Sequence, residues 1–229
     1  MNDFSANFHP NKTDTSLHIG LIPDGGRRWA KKNNVSLEES YAVTRDLLQD
    51  LAKYFFSHGV SELSIYLSSA QNFRRSKAEI SSFTEVTSNA LSNEIINLAM
   101  LLNLRINIVG NSDSIPDYIM SSLEENNMKF DDQHVGTINL CIAYNPIEEI
   151  VNATKLSGSI NNFLDYLWVK NPLDLIIRSG GANLTSNFLP LQSGFARLYF
   201  LDELFNDVSL RTVKNIMKEF LLLNRKFGD

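Results

Sequence analysis

Short apolar runs and amphipathic stretches alternate along the chain, and the alternation predicts strands interleaved with helices. The run His18-Ile19-Gly20-Leu21-Ile22 is too short for a helix and is bounded by Pro23-Asp24-Gly25, so it reads as a buried strand. Further runs at 63–67, 105–109, 137–143, 173–177 and 198–201 read the same way, for six strands in all. Between them lie helical patterns. Arg27 to Lys32 is rich in helix formers and free of breakers, and Ser36-Leu37-Glu38-Glu39 is a capping box opening a helix whose Leu47, Leu48, Leu51 and Phe55 share a face. Gly59 stops it. A second box, Ser76-Lys77-Ala78-Glu79, opens a long helix reaching about Leu102. Helices are also predicted around Pro116 to Asn126, from Ile147 after the Asn145-Pro146 break, and from Ser209 with Leu210, Val213, Ile216, Met217 and Phe220 on one side. Residues 158–171 are too mixed to assign.

Residues 1–16 are polar and aperiodic and read as a flexible tail, leaving 17–229 as one domain without repeat, linker or break in composition. Strands alternating with helices imply an α/β fold: a single domain with a mainly parallel six-stranded sheet flanked by helices.

Composition narrows the function classes. A net charge of −5 argues against nucleic acid as a partner, so any basic site is local. The one cysteine, Cys141, lies in an apolar run, which leaves no disulfide framework or cysteine metal cluster. No secretory leader pattern or membrane-length apolar run is visible, and a cytoplasmic protein is the expectation. The four histidines lack ligand spacing. Phosphate-loop, dinucleotide and nucleophile-elbow patterns are all missing from the sequence.

Chemistry concentrates at the carboxyl ends of the predicted strands, where open parallel sheets bind ligands. The ends are Asp24 to Arg28, Ser69 to Arg75, Asn145, and Arg178 to Gly181. Arginines beside glycine turns suit phosphate or diphosphate, through bidentate charged hydrogen bonds and backbone N–H donors. Asp24-Gly25-Gly26-Arg27-Arg28 leads from strand into helix, and cations are disfavoured in a first helical turn unless an anion is near. The other reading of this stretch is an ordinary turn followed by a solvated basic face.

Taken together, these blocks resemble the cis-prenyltransferases, the undecaprenyl diphosphate synthase family. The opening pattern H-x-x-x-x-x-D-G-N-x-R-W reads here as His18, Asp24, Gly25, Gly26, Arg28 and Trp29, matching everywhere but at Gly26. The block S-x-E-N-W-x-R appears as Ser69-Ala70-Gln71-Asn72-Phe73-Arg74-Arg75, and the late block as Asp174-Leu175-Ile176-Ile177-Arg178 through Ser186-Asn187-Phe188. The family's asparagine is Gly26 here, its histidine is Tyr41, its second arginine is Leu184 and its magnesium-associated glutamate is Arg197. The wording around 23–29, 35–41 and 68–72 is similar to the lavandulyl and cyclolavandulyl diphosphate synthase branch.

The resemblance implies a prenyl coupling enzyme joining short allylic diphosphates, such as dimethylallyl diphosphate, head-to-middle. Its alternatives are a head-to-tail cis-prenyltransferase using isopentenyl diphosphate, and a non-catalytic partner subunit. It implies Asp24, Asn72 and Arg75 as catalytic residues. Gly25, Gly26, Arg27, Arg28, Ser69, Arg178, Ser186, Arg197 and Tyr41 are implied for substrate binding. Asp24 is the implied Mg2+ ligand, with Arg197 weakening the metal requirement, and a homodimer is implied as the assembly.

Overall fold

The computed structural model describes residues 16–69, 96–110, 120, 121, 124 and 134–223. Within them, β1 (Leu17–Ile22), β2 (Val60–Tyr66), β3 (Leu104–Gly110), β4 (Gly136–Ile142), β5 (Leu175–Arg178) and β6 (Arg197–Phe200) form one sheet. All pairings are parallel and the strand order is β3-β4-β2-β1-β5-β6. The flanking helices are α1 (Gly26–Asn33), α2 (Leu37–Ser57), α3 (Ile96–Leu102), α4 (Pro146–Ser157) and α5 (Leu210–Leu222). This is the single-domain α/β architecture expected, with a sheet wholly rather than mainly parallel.

The caps follow their sequence signals. Ser36 accepts from the Glu39 backbone N–H and Glu39 answers at the Ser36 N–H, completing the capping box of α2. Pro146, expected to stand before its helix as a breaker, is its first residue instead. Asn145 caps it and proline tolerates the first turn, where its missing N–H has no partner to lose. Residues 158–171 contain a 3-10 helix, Ile160–Tyr166. The second predicted capping box, most of the long helix it opens and most of the 116–126 helix lie outside the described residues.

Period-2 alternation in the strands divides the core into two faces. On one, Ile19, Leu21, Leu63, Ile65, Ile138, Leu140, Leu175 and Ile177 pack against Leu48, Leu51 and Phe55 of α2 and Val213, Ile216, Met217 and Phe220 of α5. On the other, Ile22, Val109, Cys141 and Ile176 meet Phe188, Leu189, Val169 and Leu173.

Towards the amino ends of the strands this second face turns polar. Glu62 is buried and accepts from Asn139 Nδ2 (2.6 Å) and Asn171 Nδ2 (2.7 Å). Asn139 also donates to Ser64 Oγ (3.0 Å) and accepts from Asn107 (3.1 Å). His18 Nδ1 lies 3.0 Å from the Asn171 carbonyl, which can only accept, so Nδ1 carries the proton and Nε2 faces Ser64 Oγ at 2.7 Å. This satisfied belt explains why β2 starts at Val60, earlier than its apolar run suggests: Glu62 enters the sheet because its carboxylate has partners there.

Strand order also picks out a crevice. From β1 the chain moves to β2 on one side, and from β5 to β6 on the other, so the β1/β5 seam is a topological switch point where ligands bind beyond the strand ends. Asp24 and Arg178 stand at that seam.

Candidate active site

Beyond Ile22 the chain turns into α1 through Gly25, whose φ of 112° lies in the left-handed region that favours glycine. A β-carbon there would come within 2.8 Å of the Leu204 side chain and 3.1 Å of its Cα, so any larger residue is excluded. No side chain caps α1. Its first-turn N–H groups therefore face the strand ends without intrahelical partners, as an anion-binding terminus requires.

Asp24 stands in front of that terminus between two guanidinium groups. Arg178 Nη2 donates to Oδ2 at 2.9 Å, and Arg28 Nη2 donates to Oδ1 at 3.2 Å. Arg178 is buried to 7% exposure, and its Nη1 donates to Ser186 Oγ and to the Leu184 carbonyl, both at 2.7 Å. Its Nε is buried with no partner among the described residues. Leu184 thus serves the cluster through its backbone while its side chain is exposed.

Ser186 reaches Arg178 from a contorted loop. Ser186, Asn187 and Leu189 have φ of 52°, 60° and 44°, left-handed values that cost non-glycine residues about 1–3 kcal/mol each. Burial of Phe188 and Leu189 in the second core face helps offset that cost. Tyr66 braces the loop, its ring stacked on Phe188 at 5.0 Å and its hydroxyl donating to the Ser186 carbonyl at 3.2 Å. Burial raises the Tyr66 phenol pKa above its ordinary value, against the lowering effect of a hydrogen bond with Ser69, so the phenol is neutral near pH 7.

Three consecutive residues anchor this end of β1. The Phe205 N–H donates to the Asp24 carbonyl at 3.0 Å. Asn206 Nδ2 donates to the Ser40 carbonyl at 2.7 Å, while Ser40 Oγ donates to the Gly26 carbonyl at 2.8 Å. Asp207 accepts from Trp29 Nε1 (2.7 Å) and Lys32 Nζ (3.1 Å).

Burial works against the Asp207 carboxylate, but the hydrogen bonds from Lys32 and Trp29 outweigh it and hold its pKa below the usual aspartate range. A depressed folded-state pKa means the contact contributes fully above the unfolded value of about 3.9 and is lost as pH falls through the lower folded value. The chain has two tryptophans. In a Trp168→Phe background, Trp29 emission is expected to change below about pH 4, and Asp207→Asn to show the changed emission already at neutral pH.

The predicted site residues thus divide. Asp24, Arg28, Arg178 and Ser186 form one hydrogen-bonded cluster, with Gly25, Gly26 and Arg27 at the adjoining helix terminus. Tyr41 lies opposite Gly26, its Cε1 3.8 Å from where a Gly26 β-carbon would stand. Ser69 joins the cluster through Tyr66. Arg197 does not join it. It opens β6 in register with Leu175, about 10 Å back along the sheet from the level of Arg178. There its guanidinium lies 5.9 Å from the Tyr199 ring centre. Asn72 and Arg75 lie outside the described residues. Tyr66, Asn206 and Asp207 are not among the residues the sequence singles out, and Ser179 lies in the Arg178 to Gly181 stretch without a role of its own. Only Tyr66 and Ser179 carried a positional signal, being at strand ends.

Fold and cluster together define a parallel α/β protein with an Asp–Arg cluster at its switch crevice. The prenyltransferase family profile described as "Putative undecaprenyl diphosphate synthase" matches residues 22–228, and the chain belongs to that family. The isoprenyl transferase of Campylobacter jejuni (strain RM1221) is 29% identical over 217 residues, covering 92% of this chain and 97% of its own. The crystal structure of "a probable undecaprenyl diphosphate synthase" from Campylobacter jejuni aligns with a TM-score of 0.76 at 27% identity, over 93% of this chain and 98% of that one. Lavandulyl diphosphate synthase from Lavandula x intermedia, crystallised with dimethylallyl diphosphate, aligns with a TM-score of 0.84 over 94% and 99%. Its identity of 24% makes that a likeness of fold. The chain is a prenyltransferase of this family.

Proposed function

We propose that this prenyltransferase couples two short allylic diphosphates head-to-middle, giving an irregular lavandulyl-type diphosphate. The observation that carries the reading is the pairing of Asp24 with both Arg28 and Arg178 at the mouth of the β1/β5 crevice. The wording around 23–29, 35–41 and 68–72 supports the head-to-middle branch, whereas the losses at Tyr41, Leu184 and Arg197 weigh towards a non-catalytic subunit.

In this reading the α1 terminus and Arg28 hold the first diphosphate, with Gly25, Gly26, Arg27 and Tyr41 shaping the cradle, while Arg178, Ser186 and Ser69 hold the second. The allylic C–O bond breaks with its electron pair leaving on diphosphate, and the fixed cations stabilise that developing charge. One preorganised donor of this kind is worth about 100- to 1,000-fold in rate. The π pair of the second substrate forms the new C–C bond, and a proton then leaves to diphosphate. Asn72 and Arg75 would orient the diphosphate and receive its developing charge in this proposal.

A magnesium ion fits the donor chemistry: Mg2+ commonly takes one or two carboxylates plus substrate phosphate oxygens, and Asp24 offers a carboxylate one-third exposed. Asp24 would hold it, and when bound the ion supplies charge neutralisation of diphosphate. No group of three or more His, Cys, Asp or Glu side chains is poised for a metal among the described residues. Arg28 and Arg178 supply fixed positive charge in addition. Arg197 would assist from a second protomer, because within its own chain it lies away from Asp24. The homodimer in this reading uses the β6 edge, where Phe195 and Leu198 are exposed. Among the described residues no helix is long and apolar enough to cross a membrane.

A second reading, head-to-tail extension with isopentenyl diphosphate, is favoured by the isoprenyl transferase names of the sequence relatives. Incubation with dimethylallyl diphosphate alone separates the two. A branched ten-carbon diphosphate is the expected product. Turnover that appears only on adding isopentenyl diphosphate, with linear products, overturns the head-to-middle reading. Silence under both conditions leaves a non-catalytic subunit.

A further inference from the structure

We propose that Ser179 is a positioning residue for Asp24, its hydroxyl standing in for the missing last rung of the β1/β5 ladder. The inference rests on the coupling reaction proposed above. Backbone pairing between the two strands ends at Ile22 and Arg178, with the Ser179 N–H reaching the Ile22 carbonyl at 3.3 Å. Past that point the strands part, β1 into α1 and β5 into the Gly180-Gly181 turn. The Asp24 N–H bends back to the Ile22 carbonyl at 2.9 Å and the Asp24 carbonyl accepts from the Phe205 N–H at 3.0 Å, so on the β5 side neither group has a backbone partner. Ser179 Oγ takes both: it accepts from the Asp24 N–H at 3.0 Å and donates to the Asp24 carbonyl at 2.9 Å. A hydroxyl has one proton and two lone pairs, so it fills both roles at once.

The neighbourhood makes the contact specific. Ser179 is 2% exposed. Gly180 follows with φ of 86°, and a β-carbon on it would stand 3.0 Å from the Asp24 carbonyl oxygen and 2.6 Å from Arg28 Nη2. The Phe205 N–H bonds the same carbonyl from the other side. Asp24 is therefore clamped by its backbone, which leaves both carboxylate oxygens to the two guanidinium groups. Nothing else in the described residues bonds the Asp24 main chain from β5. Since Ser179 follows Arg178 directly, one dipeptide sets both the position of the acid and the cation it faces.

The test compares Ser179→Ala with the parent on allylic diphosphate, alongside binding of inorganic pyrophosphate by calorimetry. Small displacements of a reacting group cost up to about 100-fold, so kcat is expected to fall about 10- to 100-fold with KM and pyrophosphate affinity within about twofold. In an Asp24→Asn background the same substitution is expected to change kcat less than about twofold, because a displaced group that no longer acts cannot be missed. Equal kcat losses in both backgrounds, or a parent-like kcat in Ser179→Ala, overturn the inference while leaving the coupling reaction intact. A parent without turnover on any allylic diphosphate overturns both. If the alanine variant fails to fold, Ser179→Cys takes its place. The thiol is a weak donor and acceptor of similar size, so an intermediate kcat is expected and a parent-like one overturns the proposal.

Discussion

Replacing Arg178 with alanine is expected to lower turnover by about a thousandfold or more and to destabilise the fold as well. The guanidinium is 7% exposed and serves three acceptors: Asp24, Ser186 and the Leu184 carbonyl. Removing it takes away the fixed cation facing the diphosphate and strands those acceptors. Each stranded buried acceptor costs about 1–3 kcal/mol, discounted here for the one-third exposure of Asp24. A lower urea midpoint should accompany the rate loss. Arg178→Lys should rescue stability better than turnover, because an ammonium keeps the charge but cannot present a planar fork to several acceptors. A parent-like rate in Arg178→Ala would remove this residue from the mechanism.

Asp24→Asn is expected to separate the two effects. Turnover should fall by about 100- to 1,000-fold while stability changes by about 1 kcal/mol. The amide keeps an oxygen for Arg178, and the Arg28 contact it weakens is solvent-exposed and worth little. What it loses is the charge that would hold a metal–diphosphate complex. Steady-state turnover and urea unfolding on the same preparation read both quantities. A large stability loss with unchanged turnover would assign Asp24 to architecture.

Much of this was legible in the sequence because the signals were local. The six strands are short apolar runs, and the Ser36 box caps its helix as read, while Ser209, read only as a helix start, proves to cap the last one. Convergence of Asp24 with Arg178 was also legible, since both end strands of a parallel sheet. The illegible part is long-range. Glu62 looked too polar for a strand interior until Asn139 and Asn171 were seen to meet it. Asn206 and Asp207 lie in a stretch without periodicity, and only the packing of α1 shows that they fasten it. Arg197 is implied for diphosphate binding only by its match to the family's magnesium-associated glutamate. Register puts it at the start of its strand, opposite Leu175 and away from Asp24 in its own chain.

The β1/β5 seam has a consequence for how the protein comes to be made. Asp24 and Arg178 are separated by 154 residues, whereas β1 meets β2 much earlier in synthesis. A nascent chain can pair β1 with β2 and add β3 and β4 while β5 is still inside the ribosome. Such a half-sheet owns the acid but not its deepest cation. Long-range pairing of this kind slows folding, so the joining of Asp24 to Arg178 arrives among the last acts of assembly rather than growing with the chain.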